Sequence, residues 1–196
     1  MLLSDEISNQ LTQICIDNKI IEFQQEEIYH YCFSYIFDII LYTINTLLLG
    51  FLLHRPLQAF LFTVITLPGK TIVGGAHASS PERCRALSYG IFLFSLWFLN
   101  TYSFCKLSAI ILYSVSCVIL IRLTPVDHAN KRFNLEQKHR LQIACCIFII
   151  LMTLVFFTTI WLNKIIYYNL ITLCVTILMC NQLIGILQNR RHSHEA

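Results

Sequence analysis

The chain has 196 residues, 56% of them hydrophobic and only 13% charged, with a formal net charge of +3 at pH 7. Soluble domains carry about a quarter charged residues, so this composition excludes an ordinary soluble domain and predicts an integral protein of the lipid bilayer. The small net charge points to no nucleic-acid partner.

In chain order, residues 1–29 are acidic and polar and lack the basic-then-apolar order of a cleavable signal peptide. Leu3, Ile7, Leu11 and Ile14 recur there at helical spacing, and Ile20, Ile21 and Ile28 continue an interrupted apolar stripe. The pattern predicts an amphipathic N-terminal helical segment that lies on the membrane surface, packs on the other helices or packs on a second copy of the chain in a homodimer. Long apolar runs over 31–53, 86–104, 107–124, 143–162 and 165–187 each have about the length a helix needs to cross a bilayer. A weaker run at 56–73 is interrupted by Pro68, Gly69 and Lys70, which predicts either a short span or a helix that breaks up towards Gly74. The expectation is an all-α integral membrane protein with about six transmembrane helices. It forms one domain over 1–196: an amphipathic segment 1–29, a helical bundle 31–187 and a cytoplasmic tail 188–196.

Six spans put the N-terminal segment, the loops after the second and fourth spans and the C-terminus on one side. That side carries Lys19, Lys70, Arg83, Arg85, Arg122, Lys131, Arg132, Lys138, Arg140, Arg190 and Arg191, and the other carries Arg55, Lys106 and Lys164. Basic loops stay in the cytoplasm, so the split of eleven to three predicts both termini there. The nine cysteines then need form no disulfides.

The run Val73-Gly74-Gly75-Ala76-His77-Ala78-Ser79-Ser80-Pro81-Glu82-Arg83-Cys84 carries the chemistry. A thiol and an imidazole are the minimum for thiol nucleophilic catalysis, because the imidazole removes the proton that keeps sulfur a weak nucleophile. On one continuous helix, residues seven apart stand roughly 10 Å from each other, so a bend is required. Ser79-Ser80-Pro81 supplies it, since Pro suits the first position of a new helix and Ser suits the cap before it, with Glu82 as a capping-box partner for Ser79. Cys84 then falls in the first turn, where the positive end of the helix dipole, aided by Arg83 and Arg85, favours a thiolate. Gly74 and Gly75 tolerate positive φ and close approach, which suits a substrate carbonyl, an oxyanion site or a plain turn.

Asp38, about two turns inside the first span, reads as a functional group, a buried pairing or a side chain reaching water. Asn45, Asn100, Asn169, Asn181 and Gln182 read as interhelical hydrogen-bond partners. The loop from Thr124 to Arg140 is strongly basic through Lys131, Arg132, Lys138 and Arg140, which suits the topology and also an acidic peptide. Glu82, Asp127 and Asn130 qualify by type as a third catalytic residue. From the residues alone, a cysteine peptidase, a non-catalytic transporter or peptide-export component, and a zinc site built on His77, Cys84 and His128 all stay open, although the tight ligand spacing of a zinc motif is missing.

Gly74-Gly75-Ala76-His77-Ala78 followed by Cys84 resembles the Gly-x-His-Ala segment and cysteine of the accessory gene regulator B (AgrB) membrane peptidases. Pro125-Val126 with Asn130-Lys131 is similar to a second segment of that family. Where the family usually has Arg, this chain has Lys70, and an ammonium lacks the bidentate fork of a guanidinium. The resemblance implies a cysteine endopeptidase of the cell membrane, without cofactor or metal, acting on an AgrD-type propeptide in quorum sensing. It implies His77 and Cys84 as catalytic residues and Lys70 as a substrate contact, to which the reading of the residues adds Gly74, Gly75, Lys131, Arg132, Lys138 and Arg140. It also implies an acyl-thioester on Cys84 and closure of the peptide to a thiolactone or lactone.

Overall fold

Apolar runs of span length, broken by short polar turns, fold here into an antiparallel array of helices. The computed structural model describes residues 3–76, 81–126 and 133–195. Among them are seven α-helices: α1 (Leu3–Asp17), α2 (Glu26–Leu52), α3 (Pro56–Val73), α4 (Pro81–Thr101), α5 (Lys106–Leu123), α6 (Leu135–Trp161) and α7 (Ile165–Glu195). A 3-10 turn over Phe23–Gln25 leads into α2. The described residues contain no strand.

The helices outrun the apolar runs. Glu26 and Glu27 extend α2 at its N-terminus, where carboxylates complement the dipole. Asn134 and Gln137 form a capping box that starts α6 two turns before the expected span at 143–162. Pro68 does not break α3, which runs on to Val73, so the 56–73 segment is a short continuous helix. Five helices, α2, α3, α5, α6 and α7, are long and apolar enough to cross a membrane. The segment expected to be the stronger span, α4, falls short among the described residues, because Arg85, Ser88, Tyr89 and Gly90 dilute its first half.

The last helix is the hub, packed against α3, α4, α5 and α6. Every residue from Tyr168 to Val175 is buried, as expected of a helix surrounded by others. Small polar side chains on it are satisfied locally or across helices: Thr172 Oγ1 donates to the Tyr168 carbonyl at 2.8 Å, and the Ser116 and Thr176 hydroxyls meet at 3.3 Å. Aromatic pairs fill the remaining space, with Tyr113 stacked on Phe156 at 4.1 Å and Phe62 edge-on to Phe92 at 5.3 Å. Outward-facing positions such as Ile40, Ile44, Phe94, Ile111, Ile147 and Leu154 are large and apolar, a surface of the kind that suits a bilayer.

Helix α1 packs on α2, but Leu11 and Ile14 of its apolar stripe face away. Ser8 and Thr12 are buried, joined by a 2.8 Å bond from Thr12 Oγ1 to the Ser8 carbonyl, while Leu11 and Ile14 stay exposed. A small polar face seats more closely on a neighbouring helix than a leucine face does.

Alternate connections gather at opposite ends. At one end Arg55 donates to Asn100 at 2.5 Å, and Lys106 meets Asn163. At the other lie the C-termini of α3 and α5, the N-terminus of α4 and the later turns of α7, with the exit of α3 bonded to the 124–126 segment and to α7, and Lys70 of α3 bonded to Ser88 of α4. All the described candidate site residues except Lys138 and Arg140 of α6 belong to the segments meeting there.

Candidate functional site

The end that holds Cys84 is assembled from two halves. One is the exit from α3. Gly74 caps that helix with φ of 73°, its N–H bonded to the Lys70 carbonyl at 3.0 Å, and Gly75 follows with φ of 146°. Both conformations favour glycine. The segment is then clamped on two sides. Val126 N–H donates to the Val73 carbonyl at 3.2 Å, Ala76 N–H to the Asn181 carbonyl at 3.1 Å, and Asn181 Nδ2 to the Gly74 carbonyl at 3.4 Å. A methyl group on Gly74 would stand 2.8 Å from the Val126 carbonyl oxygen, and one on Gly185 would stand 2.6 Å from the Gly75 carbonyl carbon. A side chain on Gly75 would collide with the Asn181 amide. The close approach that the glycines permit is therefore taken up on that side by the protein's own α7 and 124–126 segment.

Gln182, beside Asn181, is fully buried and donates from Nε2 to Thr124 Oγ1 at 3.0 Å. Thr124 in turn donates to the Leu120 carbonyl at 2.6 Å and accepts the Cys145 thiol at 3.5 Å. Two adjacent amides of α7 thus hold both segments that enter this end.

The other half is the head of α4. The helix begins at Pro81, and Cys84 sits in its first turn, half-buried. Ser88 lies one turn on, on the same face. Lys70 Nζ donates to Ser88 Oγ at 3.2 Å, and both Lys70 and Tyr35 of α2 lie within electrostatic range of Cys84. Arg85 is bound instead by Asp38 at 2.7 Å, with side chains only 25% and 27% exposed. Asp38 is thus a partly buried pairing across helices, and the Arg85 charge is already matched. One and two turns along the same α2 face, Tyr42 packs on Tyr89 at 5.3 Å and Asn45 donates to the Tyr89 hydroxyl at 3.0 Å.

His77, Ala78, Ser79, Ser80, Asp127, His128, Asn130, Lys131 and Arg132 lie outside the described residues. Lys138 and Arg140 stand on the first turns of α6, where Arg140 pairs with Glu136 at 2.5 Å on an exposed face. Ser88, Tyr35 and Gly185 escaped the sequence reading, which named Thr124 only as the start of the basic loop. A glycine one turn after an Asn-Gln pair on an apolar helix was the only local sign of them.

These observations define a class: a polytopic helical membrane protein with a half-buried thiol in the first turn of a helix, beside an ammonium and a clamped Gly-Gly segment. Residues 4–185 match AgrB, accessory gene regulator B, and the chain belongs to that family, which links it to the accessory gene regulator system and its propeptide. No curated protein and no solved structure matches it.

Proposed function

We propose that the chain is a membrane cysteine endopeptidase that removes the C-terminal tail of an AgrD-type propeptide and supports closure of the remainder to a thiolactone or lactone. The observation that carries this reading is the place of Cys84: the first turn of a helix is where free backbone N–H groups favour a thiolate. Membership of the family agrees with it.

In the proposed reaction His77 takes the Cys84 proton and the thiolate attacks the carbonyl at the cleavage site. The C–N bond breaks as the imidazolium returns the proton to the departing amine, leaving an acyl-thioester. A Cys or Ser of the peptide then attacks that thioester, its proton passing through His77 to the Cys84 sulfur as the ring closes. Exchange of one thioester for another is nearly neutral in energy, so the activation survives provided water is excluded. Lys131, Arg132, Lys138 and Arg140 attract the acidic tail, and the charge split supports a reading with both termini and the site at the cytoplasmic face. The exposed Leu11 and Ile14 of α1 offer a face to the membrane surface or to a second copy.

Co-expression with the propeptide, with products read by mass spectrometry, tests the reading. Cys84→Ala and His77→Ala should each abolish cleavage while the protein still accumulates in the membrane. Processed peptide at the wild-type level from either variant would end it.

A further inference from the structure

Lys70 lies in the last turn of α3 and is half-buried, with Ser88 Oγ 3.2 Å from its Nζ. An ammonium drawn into a helix bundle is costly unless an opposite charge or water accompanies it. Asp38, the partly buried carboxylate at this end, is already bound by Arg85, and among the described residues no carboxylate forms an ion pair with Lys70. The hydroxyl of Ser88 supplies an acceptor but no charge.

The geometry supplies a candidate anion. Helices α3 and α4 are consecutive and in contact, so the negative end of α3, which favours a cation, faces the positive end of α4, which favours an anion. Lys70 stands at the first and Cys84 at the second. Ser88 is one turn beyond Cys84 on the same face, so the ammonium held at Ser88 shares that face of α4 with the sulfur. The other groups near Cys84 are less suited to the task. Tyr35 of α2 carries no positive charge, Asp38 and Arg85 neutralise each other, Glu82 has the wrong sign, and Arg83 is exposed.

We infer that Lys70 is a standing counter-charge of the Cys84 thiolate, in addition to the His77 imidazolium of the proposed reaction, and that Ser88 is the positioning residue that keeps its ammonium there. The inference rests on the reading of Cys84 as nucleophile. It gives Lys70 a task that does not involve the substrate's tail, and the two tasks separate experimentally.

Full-length protein in detergent, without propeptide, is treated with iodoacetamide, and alkylation of the Cys84 peptide is followed by mass spectrometry at pH 7 and at pH 9.5. Lys70→Met should slow alkylation at pH 7 by about tenfold, the effect of removing one close opposite charge. The deficit should shrink at pH 9.5, where hydroxide takes the thiol proton unaided. Lys70→Arg should keep most of the rate, and Ser88→Ala should lose roughly threefold at pH 7, the worth of one modest hydrogen bond.

A Lys70→Met rate unchanged at both pH values, with a raised KM for propeptide cleavage, would overturn the inference in favour of tail binding. An equal fall at both pH values would overturn it in favour of a packing role. If Lys70→Met fails to accumulate, Ser88→Ala decides, and an unchanged ratio of the two rates would reject the inference. Cleavage by Cys84→Ala tests the peptidase reading separately, because the alkylation needs no propeptide.

Discussion

Residues 73–76 are held to α7 and to the 124–126 segment by main-chain hydrogen bonds and glycine contacts, whereas α4, which carries Cys84, is held to α2 and α3 by side chains: Arg85 on Asp38, Tyr89 on Asn45, Lys70 on Ser88 and Phe62 on Phe92. Main-chain contacts allow one register, since a glycine site accepts no other residue without moving a backbone. Side-chain contacts tolerate small rotations of a helix. The segment leading to the proposed base is therefore the fixed half of the site, and the helix bearing the thiol is the adjustable half.

The largest expected effect breaks the fixed half. Gly185→Ala sets a methyl group 2.6 Å from the Gly75 carbonyl carbon and 2.8 Å from Ala76 N, where backbone must yield. It should destabilise the protein by about 1–3 kcal/mol, read as a lower melting temperature in detergent, and reduce cleavage with it. Gly90→Ala, on α4 with nothing within 4 Å of the added carbon, should instead be neutral or stabilise by up to about 1 kcal/mol. Equal effects of the two substitutions would abolish the contrast.

A smaller loss is expected from the side-chain half. Asp38→Ala leaves Arg85 partly buried without its carboxylate and should cost roughly 1–2 kcal/mol. Adding Arg85→Met should restore part of that stability, because the unmatched charge is then gone. A double variant less stable than Asp38→Ala would show that Arg85 holds α4 by more than this pair.

The smallest effect concerns a thiol at the opposite end. Cys105 precedes α5, is exposed, and has Ser108 Oγ 3.2 Å from its sulfur. The hydroxyl of Ser108, which donates to the sulfur once it ionises, and the N–H groups of the first turn hold this thiol below its usual range. A lowered value means more thiolate at neutral pH, so Ser108→Ala should slow iodoacetamide alkylation of Cys105 by about threefold at pH 7.5 and leave it unchanged at pH 10. Cys105 is thus a control thiol activated by hydrogen bonds at its own helix start, against which the part played by Lys70 at Cys84 can be measured.

Local chemistry makes much of this molecule legible in its sequence. Apolar runs mark the helices, Pro81 marks the start of α4, and the start of α4 puts Cys84 in a first turn, because length, hydropathy and proline act within a few residues. Hydropathy leaves open which face of α1 turns inward, and the structure buries Ser8 and Thr12 while Leu11 and Ile14 turn out, since apolarity does not distinguish lipid from a packed interior. It also leaves Asp38 undecided, and only the position of Arg85 on a neighbouring helix resolves it. What the tertiary structure alone decides is which helices meet. Asn181 reaches Gly74 across 107 residues of chain, and Lys70 reaches Ser88 from a different helix. Periodicity reports the faces of a helix and says nothing of its neighbours, so a clamp made by an amide and a glycine on α7 becomes visible only when packing brings them to the Gly-Gly segment.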